Sequence, residues 1–138
     1  MSRVAAGLYV GGAEEAFDPA VVSRVTHVLN VASELDVRSR VDLEYAHVGV
    51  EDDDPEGDIR VILDECVAWV GAAVDAGGAV LVHCMEGKSR SVCVCAAHLC
   101  VNLGYGLEAA MALIRERRPE TDVYPRYARQ LAEYVEAR

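Results

Sequence analysis

Apolar positions along the chain fall into short continuous runs and longer stretches with helical spacing. The short runs are rich in Val and Leu, which is typical of buried strands, and they cover residues 8–10, 26–31 and 79–82; an alternating stretch at residues 43–50 predicts a further strand. The longer stretches predict helices after Asp18, after Asp58 and after Arg90, and near residues 107–114 and 127–135. Because strands alternate with helices, the pattern predicts a single α/β domain with a central, mostly parallel sheet of about five strands and helices on both faces.

The strand predicted at residues 43–50 has alternating side chains. Tyr45 and His47 fall on one face, and Ala46 and Val48 fall on the other, so we expect a third core strand. A charged stretch before it, from Glu34 to Asp42, is typical of a surface loop. After the strand comes the most acidic stretch of the chain, Glu51 to Asp58.

Helix ends are marked by residues with known end preferences. Asp18, which precedes Pro19, is expected to cap one helix, and Asp58 is expected to cap the next. The helix after Arg90 is apolar on nearly every side, which predicts the central buried helix of the domain. The helix near residues 107–114 ends in basic residues that suit the negative end of its dipole, namely Arg115, Arg117 and Arg118.

Length and composition limit the function. With 138 residues, of which 52% are hydrophobic, residues 1–138 are expected to form one domain. A net charge of −10 argues against binding to nucleic acid or to anionic membranes, which require a basic face. No apolar stretch has the features of a signal peptide or a membrane span, and the five cysteines lack a disulfide-scaffold spacing, so we expect a cytoplasmic protein with reduced thiols.

The stretch from Val80 to Ser91 combines a short strand, a loop and the start of a helix. A helix start gathers N–H groups that lack intrahelical partners, and the helix dipole adds positive charge there, so an anion is expected. Phosphate fits best, because the guanidinium of Arg90 can bind two of its oxygens. The helix start and Arg90 both favour the thiolate form of Cys84 over the thiol. A thiolate facing a bound phosphate is a nucleophile aimed at phosphorus.

This stretch resembles the signature of cysteine-dependent protein phosphatases. His83-Cys84, five further residues and Arg90-Ser91 match that signature, and residues 87–91, Gly-Lys-Ser-Arg-Ser, are most similar to its dual-specificity branch. The runs at residues 7–13 and 26–32 also recur in members of this family, so the resemblance begins near the N-terminus. It implies a phosphotyrosine-phosphatase-like fold and hydrolysis of phosphotyrosine and phosphoserine or phosphothreonine in proteins through a phosphocysteine intermediate.

The resemblance also implies roles for individual residues. Cys84 would attack phosphorus, Ser91 would donate a hydrogen bond to its sulfur, and Arg90 would bind the phosphoryl oxygens. The loop that would hold the substrate comprises Met85, Glu86, Gly87, Lys88, Ser89 and Arg90. Neither a metal nor a cofactor is required. The expected partners are phosphoprotein substrates.

A carboxylic acid must protonate the leaving oxygen. In the family an aspartate just after the third strand does so. Counting along the strand from Tyr45 gives Asp52, and counting back from the next helix gives Asp53. We favour Asp52, because the strand fixes the register more firmly than the loop. Asp53 stays as the alternative.

Other polar residues have simpler explanations. His83 is adjacent to Cys84 on a strand, so its side chain points to the opposite face and a supporting role is expected rather than that of a general base. A metal site on the following helix is not expected, because positions two apart on a helix point in nearly opposite directions; this excludes convergence of Cys93, Cys95, His98 and Cys100.

Two departures from the family pattern leave alternatives open. Aligned on Tyr127, the chain has Tyr124 where many members have an asparagine that supports the phosphate loop. Lys88 matches one of two basic positions of the phosphoinositide phosphatases, whereas Met85 occupies the other. The alternatives are therefore a phosphatase of phosphoinositides or other non-protein phosphoesters, and a non-catalytic module that binds phosphopeptides.

Overall fold

A computed structural model describes residues 1–36, 42–51 and 57–138. The described strands and helices alternate as the apolar pattern predicts. The strands are β1 (Ser2–Ala5), β2 (Leu8–Gly11), β3 (His27–Ala32), β4 (Glu44–Val50) and β5 (Val80–His83). The helices are α1 (Ala13–Phe17), α2 (Pro19–Val22), α3 (Arg60–Asp75), α4 (Arg90–Val101), α5 (Leu107–Arg117) and α6 (Pro125–Glu136).

The strands form one five-stranded sheet in the order β1-β2-β5-β3-β4. β5 lies at the centre and pairs in parallel with β2 on one side and β3 on the other, and β3 pairs in parallel with β4. Only the β1–β2 pair is antiparallel among the described strands. The prediction of a mostly parallel sheet of about five strands is therefore confirmed, although β1 was not among the strands that the apolar runs indicated.

Helices cover both faces of the sheet, and they do so unequally. On one face Leu29 and Val82 belong to a large core that the residues of α3 to α6 complete. On the other face Val28 and Leu81 belong to a small cluster that Ala16 of α1 covers. Neighbouring residues on a strand point to opposite faces, which is why one strand serves both clusters.

α4 is buried along most of its length. Ten of its twelve residues are buried, from Arg90 to Leu99, so the prediction of a central buried helix is confirmed. This burial fixes the start of α4, and hence the end of the loop that precedes it. Among the described helices, none is both long and apolar enough to span a bilayer.

One detail of the sequence interpretation is confirmed in part and another is wrong. β4 is an edge strand in which no residue is fully buried, but Ala46, Val48 and Val50 on its predicted core face are partly buried and pack against the main core. α3 starts at Arg60, and its N-cap residue is Ile59 rather than Asp58. The Asp58 carboxylate still accepts a hydrogen bond from the Arg60 N–H at 3.0 Å, so it stabilises the helix start from one position further out. Asp18 caps α2 as predicted, accepting from the Ala20 N–H.

Candidate active site

The loop that is predicted to bind phosphate, residues 84–90 and called the phosphate loop below, borders a cavity of about 490 Å³ at the carboxyl end of the parallel strands. Its lining comes from the loop and from the segments after β3, β4 and α5, and comprises Glu34, Glu51, Cys84, Met85, Glu86, Lys88, Ser89, Arg90, Asp122 and Tyr124. The structure thus brings together Cys84, Arg90 and four of the five predicted loop residues between them. The fifth, Gly87, is buried and does not line the cavity.

Several main-chain N–H groups of the loop have no hydrogen-bond acceptor among the described residues. Within the described residues, the N–H groups of residues 85–89 donate to no protein acceptor. They immediately precede α4, whose dipole places partial positive charge at its first residue, Arg90. Such an arrangement of donors favours an anion in the cavity.

Cys84 lines this cavity, and Ser91 lies in contact with Cys84. The Cys84 side chain is 2% exposed, and its Sγ lies 3.2 Å from Ser91 Oγ, within hydrogen-bond reach. Ser91 Oγ also donates to the Gly11 carbonyl at 3.5 Å. The separation of Oγ and Sγ allows the hydroxyl to rotate and donate its proton to the sulfur instead, which is the hydrogen bond predicted for Ser91.

Arg90 is buried at the cavity wall and is held by a carboxylate that sequence reasoning missed. Its Nη1 and Nη2 donate to the two carboxylate oxygens of Glu34 at 2.7 and 2.8 Å, and Nη1 also donates to the Val50 carbonyl at 2.8 Å. The hydrogen bonds from Arg90 lower the pKa of Glu34, which keeps its carboxylate ionised. Arg90 therefore has a fixed orientation that depends on the ends of both β3 and β4.

Glu34 was interpreted as part of a charged surface loop. One signal could have found it: Glu34 follows a predicted parallel strand and so lies at the same sheet edge as the end of β5. Ligand sites in open α/β sheets form at that edge.

His83 is fully buried in β5 and does not line the cavity. Its Nδ1 lies 3.3 Å from the Cys84 carbonyl oxygen, and burial lowers the pKa of its imidazole. A buried neutral imidazole that contacts the main chain of Cys84 is consistent with the supporting role expected for it.

Both candidates for the general acid, Asp52 and Asp53, lie outside the described residues. The segment leading to them is anchored at the cavity: Val50 accepts a hydrogen bond from Arg90, and the Glu51 carbonyl accepts one from Tyr127 Oη at 2.6 Å. The chain therefore reaches the cavity wall at Glu51, directly after β4.

Tyr124 contacts the phosphate loop through its main chain. Its N–H donates to Ser89 Oγ at 3.1 Å, while its side chain is 46% exposed and lines the cavity. The asparagine expected from the family pattern is therefore replaced by an aromatic residue that lines the cavity wall and contacts the loop through its backbone.

Arg118 is a second residue whose place the sequence did not indicate. It was interpreted as one of the basic residues that suit the end of a helix dipole. Its side chain is 5% exposed and turns inward, where its Nε donates to the Gly87 carbonyl at 2.8 Å. No local pattern marks this contact, because 31 residues separate its partners along the chain.

The other thiols differ from Cys84 in their surroundings. The five cysteines are thiols outside any disulfide, and Cys84 is the one that lines the cavity. Burial raises the pKa of Cys66 to about 12 and also raises the pKa of Cys95, so both stay protonated. Among residues 1–36, 42–51 and 57–138, no group of three or more His, Cys, Asp or Glu side chains is placed to hold a metal ion.

Comparison with known proteins identifies the family. A family model described as the dual specificity phosphatase catalytic domain matches residues 8–137. The chain belongs to the dual specificity phosphatase family. Its relatives are protein phosphatases, which are hydrolases, and they are similar along nearly the whole chain.

Three relatives illustrate the similarity within this family. Dual specificity protein phosphatase 1B of Arabidopsis thaliana is 37% identical over 136 residues, which cover 97% of this chain and 81% of that protein. Human dual specificity phosphatase 28 is 36% identical over 137 residues, covering 98% and 77%. The crystal structure of the human protein superimposes with a TM-score of 0.93 at 34% identity, covering 99% and 96% of the two chains. A crystal structure of dual specificity phosphatase 15 gives a TM-score of 0.91 at 29% identity, covering 99% and 88%.

Proposed function

We propose that the protein hydrolyses phosphotyrosine and phosphoserine or phosphothreonine in proteins by way of a phosphocysteine intermediate. One observation chiefly supports this proposal: the Cys84 sulfur and the Arg90 guanidinium border the same cavity, together with loop N–H groups that have no acceptor among the described residues. A nucleophile, a fixed cation and spare donors are the groups that phosphoryl transfer requires.

In the first step the Cys84 thiolate attacks phosphorus in line with the leaving oxygen. The S–P bond forms as the ester P–O bond breaks, and the electron pair of that bond goes to the leaving oxygen, which takes a proton from a carboxylic acid. Arg90 and the loop N–H groups bind the equatorial oxygens as their charge develops. The products are the phosphocysteine and the free hydroxyl of the substrate.

In the second step water attacks the phosphocysteine. The S–P bond breaks, the electron pair returns to sulfur, and the carboxylate formed in the first step accepts the proton of the attacking water. Ser91 assists here, because a hydrogen bond from its hydroxyl stabilises the departing thiolate at the 3.2 Å separation of Sγ and Oγ. The products are inorganic phosphate and the free enzyme.

Asp52 is our choice for the carboxylic acid, with Asp53 as the alternative. The choice is supported by Glu51, which lines the cavity directly before these residues. We expect Asp52→Ala to lower kcat by about 10²-fold or more, and Asp53→Ala to lower it much less. The reverse order would assign the acid to Asp53.

The charge of the cavity wall favours protein substrates over phosphoinositides. Four carboxylate side chains line it, and Lys88, the residue shared with phosphoinositide phosphatases, lies 3.5 Å from one of them, that of Glu86. A polyanionic headgroup would meet this negative wall, whereas a single phosphorylated side chain needs only the phosphate loop.

The experiment that tests the proposal is hydrolysis of an aryl phosphate and of a phosphopeptide panel, with Cys84→Ser as the control. We expect activity on all three phosphorylated residue types, a burst of product, and a phosphocysteine trapped by acid quenching. Full activity of Cys84→Ser would refute the mechanism, and faster hydrolysis of inositol lipids than of phosphopeptides would refute the substrate class. Phosphopeptide binding without any turnover would indicate the non-catalytic module instead.

A further inference from the structure

A loop that presents its N–H groups to a phosphate must turn its carbonyl groups away from it. Each of those carbonyls then needs a donor on the outer side of the loop, since buried main-chain acceptors are nearly always satisfied. Three carbonyls of the phosphate loop have such outer donors. Met85 O accepts from the Ala13 N–H at 2.8 Å, Lys88 O accepts from the Asp122 N–H at 3.0 Å, and Gly87 O accepts from Arg118 Nε at 2.8 Å.

Among these three donors, Arg118 differs because it is a side chain. The other two are main-chain groups at the start of α1 and in the segment before α6. Arg118 comes from the end of α5, and its guanidinium reaches the centre of the loop from behind. A side-chain donor can be removed by a single substitution, so the middle of the loop depends on one residue.

Arg118 is itself held by a carboxylate. Its Nη2 and Nη1 donate to the two carboxylate oxygens of Glu15 at 3.0 and 3.2 Å, and Nη1 also lies 3.1 Å from Ser2 Oγ. Burial alone would raise the pKa of Glu15, but the hydrogen bonds and charge of Arg118 contribute to a net lowering, so the carboxylate stays ionised. Glu15 also accepts the Gly12 N–H at 3.3 Å, which ties it to the start of α1.

The fit between Arg118 and the loop is close. Gly87 has a φ of +72°, a conformation that other L-residues rarely adopt, and a Cβ at this position would lie 2.6 Å from Arg118 Nη2 and 2.5 Å from the Gly11 carbonyl carbon. The guanidinium therefore occupies the space behind Gly87, and the carbonyl of Gly87 is directed to it.

We propose that Arg118, held by Glu15, is a positioning residue that keeps the Gly87 carbonyl turned outward, so that the neighbouring N–H groups face the phosphoryl group. Arg118 acts through the loop and does not touch the substrate. The inference rests on the proposed function, because it assigns a purpose to the loop geometry that phosphoryl transfer would use.

The test measures oxyanion affinity as well as turnover. In Arg118→Met the Gly87 carbonyl loses its donor, and we expect the competitive inhibition constant of inorganic phosphate to rise about tenfold or more, with kcat/KM for an aryl phosphate falling by a similar factor. Arg118→Lys keeps one cationic donor and should recover part of both losses. Arg117→Met, an exposed neighbour on α5, is the matched control and should leave both quantities unchanged.

The contact between Glu15 and Arg118 provides an independent test of the proposal. Glu15→Gln keeps an acceptor for Arg118 and Gly12 but removes the charge, so we expect a weaker effect of the same sign, whereas Glu14→Gln at an exposed neighbouring position should have none. All variants are compared per folded molecule, with folding followed by circular dichroism. If Arg118→Met folds and only its melting temperature falls, Arg118 is a buried structural residue and the proposal is wrong. If Arg118→Met does not fold, wild-type phosphate affinity in both Arg118→Lys and Glu15→Gln would overturn it.

Phosphate binding also separates this inference from the proposed function. Calorimetric titration of the Cys84→Ser variant with inorganic phosphate measures the affinity of the loop for phosphate in the absence of turnover. Unchanged phosphate affinity on adding Arg118→Met would refute the positioning role even in an active enzyme. A tenfold loss there, together with a wild-type protein that hydrolyses no phosphoester, would refute the proposed function alone.

Discussion

The ion pair between Glu34 and Arg90 gives the sharpest prediction about catalysis. Glu34→Gln keeps the size of the side chain and one hydrogen-bond acceptor, but it removes the charge and the symmetric contact with the guanidinium. In the wild type that contact consists of two hydrogen bonds of 2.7 and 2.8 Å. The Val50 carbonyl would remain as an acceptor for Arg90, so the side chain would be loosened rather than released.

The size of the effect follows from the exposure of the two partners. Opposite charges about 4 Å apart attract by about 4 kcal/mol at an effective dielectric constant of about 20. The Arg90 side chain is 1% exposed, but that of Glu34 is 36% exposed, so solvent screens the pair. We therefore take about 1–2 kcal/mol for the lost charge, which corresponds to a fall in kcat/KM of about 5- to 30-fold.

The assay is steady-state hydrolysis of an aryl phosphate, together with the inhibition constant of inorganic phosphate. Glu51→Gln is the matched control, since it removes a negative charge from the same cavity wall, and Glu51 forms no ion pair with Arg90 among the described contacts. We expect Glu51→Gln to stay within about twofold of the wild type. If Glu34→Gln binds phosphate more tightly and turns over faster, Glu34 competes with the substrate for Arg90, and the orienting role is wrong.

Three further predictions concern the loop, the pH dependence of stability and substrate charge. Gly87→Ala should lower kcat/KM by more than tenfold because its Cβ meets backbone at 2.5 Å, while Gly104→Ala, with a similar φ of +79° but open space around it, should cost stability alone. Burial lowers the pKa of His98, so stability should be lost as pH falls below the ordinary value of 6.5; urea unfolding of His98→Asn should show a smaller loss between pH 7 and pH 5. The acidic cavity wall should favour phosphopeptides with basic flanks at low salt, and Glu86→Gln should reduce that preference, as measured by kcat/KM on charge-matched peptides.

The parts of the site that the sequence predicted are local in the chain. Cys84, Arg90 and Ser91 lie within eight positions on a strand, a loop and a helix start, and each of these has its own composition signal. The same locality explains the successful prediction of the buried helix α4. Patterns of this kind need no knowledge of how the strands are ordered.

The parts that escaped prediction depend on contacts between distant segments. Glu34 pairs with a residue 56 positions away, and the contact of Arg118 with Glu15 spans 103 positions. The alternation in β4 indicated a strand correctly, but only the order of the strands makes it an edge. The position of Glu34 after a predicted parallel strand could indicate that it lies near the site, but the sequence does not indicate its pairing with Arg90 or that of Arg118 with Glu15.

Because β2, β3, β4 and β5 run in the same direction, the segments that follow them all begin at the edge of the sheet where the carboxyl ends of these strands lie. Cys84, the proposed nucleophile, follows β5, Glu34, which holds Arg90, follows β3, and the candidate acids follow β4. Lengthening or recomposing the segment after β3 or β4 would change which substrates fit, and the buried strand–helix unit that carries the sulfur would not have to move. Substrate preference can therefore change in this fold through the segments after β3 and β4, while the strand–helix unit that carries Cys84 stays the same.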